Sequence, residues 1–337
     1  MTRQAGEARV IVATHRIFPE SRTALTALGT LIAPEAGAEA LTHAEMAAAM
    51  PRAAAMLAFM PDRVDDTFLA TAPNLRIVAG ALKGYDNFDV AACARRGVWL
   101  SIVPDLLTVP TAELAIGLLI GLGRHIRAGD AHVRSADFRG WRPAFYGRGL
   151  AGETAGLIGF GAIGRAIAAR LRAFGMTLLC CDATPVPDAV TAEYGVTPLP
   201  FEAVLAKADY LIVAAPLLPG THHLIGADAL KHVKSGALLV NPARGSVVDE
   251  AAVAAALAAG QLGGYAADVF EMEDWHLPDR PRGIARELLD HPATLFTPHL
   301  GSAVWQARQA IEARAAANIA DVLAGRPPRD AVASPSA

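Results

Sequence analysis

The stretch that decides the fold is "TAGLIGFGAIGRAIAARL", residues 154–171. A short apolar run leads into the glycine-rich "GFGAIG", and a helical pattern follows it. In such a turn Gly159 permits the tight bend, Gly161 lets a pyrophosphate approach the backbone, and Gly164 lets helix and strand pack closely. Backbone N–H groups at the start of the helix can bind phosphate. The alternative is a glycine turn with a purely structural role.

A carboxylate stands where a ribose-binding acid is expected. The next apolar run, "MTLLCCD", ends at Asp182, which comes 18 residues after Gly164. A carboxylate accepts hydrogen bonds from a free ribose 2′-hydroxyl and repels a 2′-phosphate. Ala183 and Thr184 follow it and supply no cation. The sequence therefore predicts NAD, in preference to NADP, as the cofactor; the alternative is that Asp182 is a solvated residue at a strand end.

Alternation of strands and helices extends in both directions from this turn and predicts an α/β fold with parallel sheets. On the amino-terminal side the predicted strands are "ARVIVAT", "AAAMLAFM" and "LRIVAGAL", with helices at "SRTALTALG" and "THAEMAAAM". From Thr154 onward six strands are predicted: "TAGLIGF", "MTLLCCD", "ADYLIVAAP", "GALLVNPA", "GYAADVF" and "ATLFTP". Thr111 is predicted to cap a long helix at the first domain crossing. The Ala-rich helix that begins at residue 303 is predicted to run back to the first domain.

Composition limits the possible functions. The chain has 337 residues, of which 53% are hydrophobic and 19% charged, with a net charge of −3. These values indicate a globular protein of two domains, or of one large domain, and favour neither nucleic acid nor a membrane as partner. The three cysteines (Cys93, Cys180, Cys181) have no metal-binding or redox spacing. The first sixteen residues lack an apolar signal-peptide core, so we expect a cytoplasmic protein. We also expect no bound metal.

Three residues suited to oxyanion chemistry each follow a predicted strand in the second half of the chain. They are Arg244 in "VNPARGSVVDE", Glu273 in "DVFEME" and His299 in "FTPHLGS". A guanidinium can hold an anion with two hydrogen bonds, a histidine can transfer a proton, and a carboxylate can orient the histidine. Taken singly, the three could be a surface cation, a solvated acid and a strand-end cap. Together, in loops that meet at one edge of a parallel sheet, they predict an active site.

The motifs "GFGAIG", "NPARGSVVDE", "GYAADVFEME" and "TPHLGS" resemble those of the D-isomer-specific 2-hydroxyacid dehydrogenase family, and the resemblance covers nearly the whole chain. It implies a Rossmann doubly wound parallel sheet inserted into a split, flavodoxin-like substrate domain. The implied boundaries are 1–107 with 300–330 for the substrate domain, 108–299 for the NAD domain, and 331–337 for a loose tail. It also implies a homodimer that uses the interdomain helix region.

The same resemblance implies roles for individual residues. Arg244, Glu273 and His299 carry over as the catalytic set. The cofactor-binding residues are Gly159, Gly161, Ala162, Ile163, Gly164, Asp182, Pro216, Ala243, Asp268 and Thr111. The substrate-binding residues are Lys83, Gly84, Met60, Tyr146, Trp141, Ser302 and Arg308. For Met60, Trp141 and Tyr146, a packing role is the alternative.

Lys83, in "GALKGYDNFDV" (residues 80–90), departs from most of the family, in which a small residue or valine holds this place before glycine. Stretches such as "AFMPDRVD" and "ALKGYDNFDV" are closer to the members of the family that oxidise phosphite. We therefore expect phosphite, a small dianion, to be the substrate, with Lys83 and Arg244 offsetting its two charges. The alternatives are a glyoxylate or hydroxypyruvate reductase, a non-enzymatic NAD-sensing co-repressor and, for Lys83 itself, a solvent-facing side chain.

Overall fold

The computed structural model describes residues 9–335. The chain forms two compact units: Met1–Leu107 with Val304–Ala337, and Thr108–Ala303. The first unit is thus discontinuous in sequence, with the second inserted into it.

The elements alternate along the chain. Within the described residues the strands are β1 (Val10–Ala13), β2 (Thr30–Ile32), β3 (Ala53–Ala58), β4 (Ile77–Gly80), β5 (Trp99–Ser101), β6 (Thr154–Ile158), β7 (Thr177–Cys181), β8 (Val196–Pro198), β9 (Tyr210–Val213), β10 (Ala237–Asn241), β11 (Leu262–Ala267), β12 (Thr294–Phe296) and β13 (Ala331–Ala333). The α-helices in that same part are α1 (Pro19–Thr26), α2 (His43–Ala49), α3 (Asp66–Ala70), α4 (Val90–Arg95), α5 (Thr108–Gly123), α6 (Ile126–Arg134), α7 (Ala162–Ala173), α8 (Asp188–Tyr194), α9 (Phe201–Lys207), α10 (Ala227–His232), α11 (Glu250–Ala258), α12 (Arg286–Leu289) and α13 (Trp305–Leu323). Short 3₁₀ turns occupy Met50–Arg52, Gly245–Val247 and Glu271–Glu273.

The first unit is built on a six-stranded sheet in the order β2-β1-β3-β4-β5-β13. All neighbours in it are parallel except β13, which pairs antiparallel with β5. The order 2-1-3-4-5 of the parallel strands is that of flavodoxin-like folds. Apolar side chains cover both faces of the sheet, as the buried runs of β1 and β4 require.

The second unit is a doubly wound parallel sheet of seven strands in the order β8-β7-β6-β9-β10-β11-β12. The central strands are buried throughout, as "YLIV" in β9 and "ALLVN" in β10 illustrate. The direction of winding reverses between β6 and β9, and in sheets of this type ligands bind beyond the carboxyl ends of the strands at that point. The predicted fold class is confirmed.

Several details differ from the predictions. Thr111 does not cap α5, because the helix begins at Thr108, where the chain turns helical before Pro110. The tail predicted to be loose over 331–337 is ordered at β13, because Asp330 accepts two hydrogen bonds from Arg314 and ties this segment to α13. Residues 336 and 337 lie outside the described residues. The second unit has a seventh strand, β8, that was not predicted.

Between residues 9 and 335 no single helix is long and apolar enough to cross a membrane. The consecutive helices α5 and α6 pass a test of length and composition only as a pair, and they are bent by 65°. Ten residues of α5 are buried inside the protein.

Candidate active site

The glycine turn between β6 and α7 has the geometry that a dinucleotide requires. Gly159 has φ 95°, a left-handed conformation that only glycine adopts without strain, and a Cβ there would lie 2.7 Å from the Ala214 carbonyl carbon. A Cβ on Gly161 would meet nothing within 4 Å, so the backbone at the helix start is open to an approaching ligand. A Cβ on Gly164 would collide with the Gly159 carbonyl oxygen. The first N–H groups of α7 have no partners within the helix and are therefore available to bind phosphate.

Asp182 lies just beyond β7 and is exposed. Its Oδ2 accepts a hydrogen bond of 2.6 Å from the Phe160 N–H, inside the glycine turn, and its Oδ1 accepts one of 3.0 Å from the Thr184 N–H. These bonds fix the carboxylate beside the turn and leave lone pairs for a ribose hydroxyl. The residues present therefore fit NAD.

His299 and Glu273 form a closely bonded pair. The His299 Nδ1 lies 2.6 Å from Glu273 Oε2, while Glu273 Oε1 accepts a hydrogen bond of 3.0 Å from the Phe270 N–H. The His299 backbone has φ 57°, in the left-handed region that histidine tolerates better than most residues. With its Nδ1 proton bound to a carboxylate, the ring has Nε2 available to exchange a proton with a substrate.

Arg244 is half-buried in the loop that follows β10. The carbonyl of Arg244 accepts a hydrogen bond of 2.9 Å from the Asn241 side-chain amide, and Asn241 Oδ1 accepts one of 3.1 Å from the Ala243 N–H. Gly245 follows, and a Cβ there would collide with the backbone at Phe270 and Glu271. The loop of Arg244 is therefore packed directly on the loop that leads to Glu273.

Asp268 is 1% exposed at the end of β11. Its carboxylate accepts hydrogen bonds from the Thr297 hydroxyl (2.5 Å) and from the N–H groups of Leu300 (2.7 Å) and Gly301 (2.8 Å). Burial raises the pKa of Asp268, and the bonds it accepts oppose that rise. Asp268, predicted to bind cofactor, thus orders the loop that carries His299.

In the first unit, the predicted substrate residues Met60, Lys83 and Gly84 follow the strands β3 and β4, whereas Arg308 lies on a helix. Arg308, near the start of α13, donates a hydrogen bond of 3.1 Å to the Ala81 carbonyl, two residues before Lys83. The Met60 carbonyl accepts one of 3.1 Å from the Asn87 amide. Lys83 is half-buried; burial lowers its pKa, and the charge of Asp105 opposes this.

The remaining predicted residues are placed as follows. In the second unit, Thr111 packs in α5 beside Gly301, and Ser302 is half-buried three residues after His299. Trp141 and Tyr146 are 81% and 79% exposed in a long loop after α6, so the structure does not place them against the catalytic set of this chain. Ala162, which is exposed, and Ile163, which is half-buried, begin α7. Pro216 is exposed and follows β9, whereas Ala243 is half-buried and follows β10. Gly84 is half-buried and follows Lys83 in the first unit.

Sequence reasoning missed three polar residues next to the site. Glu250 and Glu271 are buried and His223 is half-buried, and hydrogen bonds connect them. No motif distinguishes such acids from solvated ones at the start of a helix.

The geometry defines a NAD-dependent dehydrogenase with an Arg–Glu–His set at the carboxyl ends of a Rossmann sheet. Residues 116–301 match the family model described as "D-isomer specific 2-hydroxyacid dehydrogenase, NAD binding domain". The glyoxylate reductase of Thermococcus litoralis is 37% identical over 283 residues, which cover 82% of this chain and 83% of that protein. The chain belongs to the D-isomer-specific 2-hydroxyacid dehydrogenase family.

Solved structures agree. A protein from Thermus thermophilus superposes with a TM-score of 0.84 at 31% identity, over 96% of this chain and 99% of that one. A NADPH-dependent glyoxylate/hydroxypyruvate reductase from Sinorhizobium meliloti, in complex with NADP and malonate, gives a TM-score of 0.80 at 28% identity, covering 97% of each chain. A relative with this fold therefore binds NADP.

Asp182 generates the first prediction. Unmodified protein should use NAD far better than NADP, because the carboxylate repels a 2′-phosphate. Asp182→Asn keeps an oxygen for the Phe160 N–H but removes the charge, so the ratio of kcat/KM for NADP to that for NAD should rise by about tenfold or more, equivalent to about 1.4 kcal/mol.

The control is Asp188→Asn, which removes an equal charge from the exposed first turn of α8 and should leave the ratio unchanged. Equal efficiency of the unmodified protein with both cofactors would contradict the role of Asp182.

Proposed function

We propose that this dehydrogenase oxidises phosphite to phosphate, the reaction of the phosphonate (phosphite) dehydrogenases. The observation that carries the proposal is Lys83, a half-buried cation in a turn where most of the family has a small residue. Because burial lowers its pKa, its charge costs free energy that a nearby anion would offset. Phosphite carries two negative charges near neutral pH, and Lys83 with Arg244 supplies two positive ones.

The proposed reaction assigns each residue a task. Water attacks phosphorus and forms the new P–O bond, and His299 Nε2 takes the proton that this water loses. Glu273 holds the opposite ring nitrogen and so fixes the orientation of the imidazole. Arg244 and Lys83 bind the oxyanion and stabilise its charge as the P–H bond breaks. NAD, when bound, supplies the acceptor for the hydride, so the phosphorus is oxidised by two electrons.

A second candidate is the reduction of glyoxylate, and the relatives favour it: the Thermococcus litoralis protein is named a glyoxylate reductase. In that reaction Arg244 would bind the carboxylate, and His299 would donate a proton to the carbonyl oxygen as the hydride arrives. A single carboxylate needs one cation, so this reaction assigns no anion-binding task to Lys83.

The proposed base generates the second prediction. His299→Asn should lower kcat by about 10²-fold or more without unfolding the protein, because asparagine tolerates the left-handed backbone at this position (φ 57°). Glu273→Gln should lower kcat less, since an amide oxygen can still accept the Nδ1 proton.

The matched control is His232→Ala, which removes an exposed histidine from α10. Near-normal turnover of His299→Asn, with an unchanged pH profile, would show that His299 is not the base.

Lys83 generates the third prediction, which also decides between the substrates. The unmodified protein should reduce NAD with phosphite, and Lys83→Ala should lower kcat/KM for phosphite by one to two decades, from the loss of about 1.5–3 kcal/mol of charge-assisted hydrogen bonding. Lys83→Arg should keep part of the activity, since the charge remains but the geometry changes. NAD binding, measured by fluorescence, should be unaffected.

Lys231→Ala is the control for net charge, because Lys231 pairs with Asp228 on the exposed surface of α10. If the protein reduces glyoxylate and does not oxidise phosphite, or if Lys83→Ala uses phosphite normally, the second candidate replaces the first.

We also propose that the protein is a homodimer. Of the fifteen large exposed hydrophobic residues in the described part of the chain, six lie between residues 126 and 146: Ile126, Val133, Phe138, Trp141, Phe145 and Tyr146. Scattered exposed apolar residues are ordinary, but a concentration of this kind is typical of an interface.

The fourth prediction follows. Sedimentation equilibrium should give a dimer, and the double variant Ile126→Asp, Val133→Asp should shift it toward monomer. Leu218→Asp, at a similarly exposed position outside this segment, should remain dimeric. A monomeric unmodified protein at micromolar concentration would contradict the proposal.

A further inference from the structure

The turns that carry Arg244 and Glu273 are joined by buried polar groups that the proposed reaction does not use. Glu250 is the first residue of α11 and is 4% exposed; Glu271 begins the 3₁₀ turn that contains Glu273 and is 8% exposed. Carboxylates this deeply buried cost free energy unless their oxygens accept hydrogen bonds.

The two glutamates exchange hydrogen bonds reciprocally. The Glu250 N–H donates to Glu271 Oε1, and the Glu271 N–H donates to Glu250 Oε1, each over 2.8 Å. Each side chain therefore satisfies the backbone donor of the other residue. These two hydrogen bonds fix the distance between the segment that follows β10 and the segment that follows β11.

Glu271 also reaches a third loop. Its Oε2 lies 3.0 Å from His223 Nε2, and the His223 N–H donates a hydrogen bond of 2.7 Å to the Ser246 carbonyl. His223 belongs to the loop after β9, which begins near Pro216, a predicted cofactor contact. One carboxylate thus connects the loops that follow three adjacent strands.

Burial and the neighbouring charges disfavour ionisation of Glu250. Burial, and then the charges of Glu271, Glu273 and Asp274, raise the pKa of Glu250 to about 7. Protonation of Glu250 lowers the buried charge of the cluster. Glu271 accepts from the Glu250 backbone N–H and contacts His223 at the same time.

We propose that Glu271 is a positioning residue of the dehydrogenase, which fixes the Arg244 and Glu273 turns relative to each other. Glu273 follows two residues later and holds His299, so a shift of the turn is passed to the imidazole. The inference rests on the proposed roles of Arg244, Glu273 and His299, and it holds for phosphite and for glyoxylate alike.

Small displacements are expected to have large effects, since a misplacement of about 1 Å can lower turnover about 10²-fold. Removal of Glu271 leaves the Glu250 amide and the His223 ring without their partner. The catalytic side chains remain present, but the turns that hold them lose their fixed spacing.

The test compares Glu271→Ala, Glu271→Gln and the control Asp209→Ala. Asp209 is 7% exposed and its Oδ2 accepts a hydrogen bond of 2.9 Å from the Thr154 N–H, but it precedes β9, at the opposite edge of the sheet from the carboxyl ends. Its loss removes a comparable buried carboxylate away from the chemistry.

Glu271→Ala should lower kcat by about 10–100-fold, change the pH profile of kcat, and leave KM for NAD within about threefold of its normal value. Glu271→Gln should recover most of the turnover, because its amide oxygen still accepts from the Glu250 N–H. Asp209→Ala should keep a normal kcat and pH profile when assayed below its melting temperature. Where Glu271→Ala does not fold, His223→Asn replaces it and should show a smaller fall of the same kind.

A normal kcat and pH profile in Glu271→Ala would overturn the inference, as would equal impairment of the alanine and glutamine variants, or an equal loss in Asp209→Ala. A failure of this inference can be distinguished from a failure of the proposed function. Near-normal turnover of His299→Asn refutes the catalytic assignment whatever Glu271 does, whereas an inactive His299→Asn with a fully active Glu271→Ala refutes only the positioning role.

Discussion

The carboxylate of Asp268 accepts three hydrogen bonds at a position that water does not reach. Its backbone is equally engaged: the N–H donates to the Asn241 carbonyl over 3.0 Å, and the carbonyl accepts from the His299 N–H over 2.8 Å. A single residue at the end of β11 therefore holds the ends of β10 and β12 beside it. Arg244 follows the first of these ends and His299 the second, so the spacing of these two residues depends on Asp268.

Burial of the Asp268 carboxylate costs free energy, which the hydrogen-bond donors around it offset. Burial of the Asp268 carboxylate opposes its ionisation, while the Thr297 hydroxyl, the Leu300 amide and the charge of His299 favour it. The donors are available only when the loop after β12 is folded back, with His299 in a left-handed conformation. The left-handed turn at His299 and the hydrogen bonds to the Asp268 carboxylate thus occur together in one geometry. Fixed polar groups of this kind can stabilise charge without reorganising during the reaction.

The sequence predicted those features that depend on patterns repeated over several residues. Long buried strands such as β10 and the glycine turn between β6 and α7 belong to this class. Short strands at or near sheet edges, such as β8 and β13, have only three residues each, too few for a period to be recognised. The cluster of Glu250, Glu271 and His223 could not be predicted, because burial of an acid depends on residues far apart in the chain. Trp141 and Tyr146 show the converse, since a motif match gave no indication of their exposure.

The choice of substrate depends on very few side chains, which is why family membership does not decide it. At 37% identity to the Thermococcus litoralis protein, a single lysine in one turn can differ without altering the fold. The Lys83 turn is held in place independently of any ligand, because Arg308 bonds to the Ala81 carbonyl and the Val103 N–H donates to the Leu82 carbonyl over 2.8 Å. An ordered turn that keeps an ammonium group half-buried costs free energy, and a protein that binds one carboxylate does not need that second cation. It is useful to one that must desolvate a dianion, since the attraction to a second charge then offsets the burial of the first.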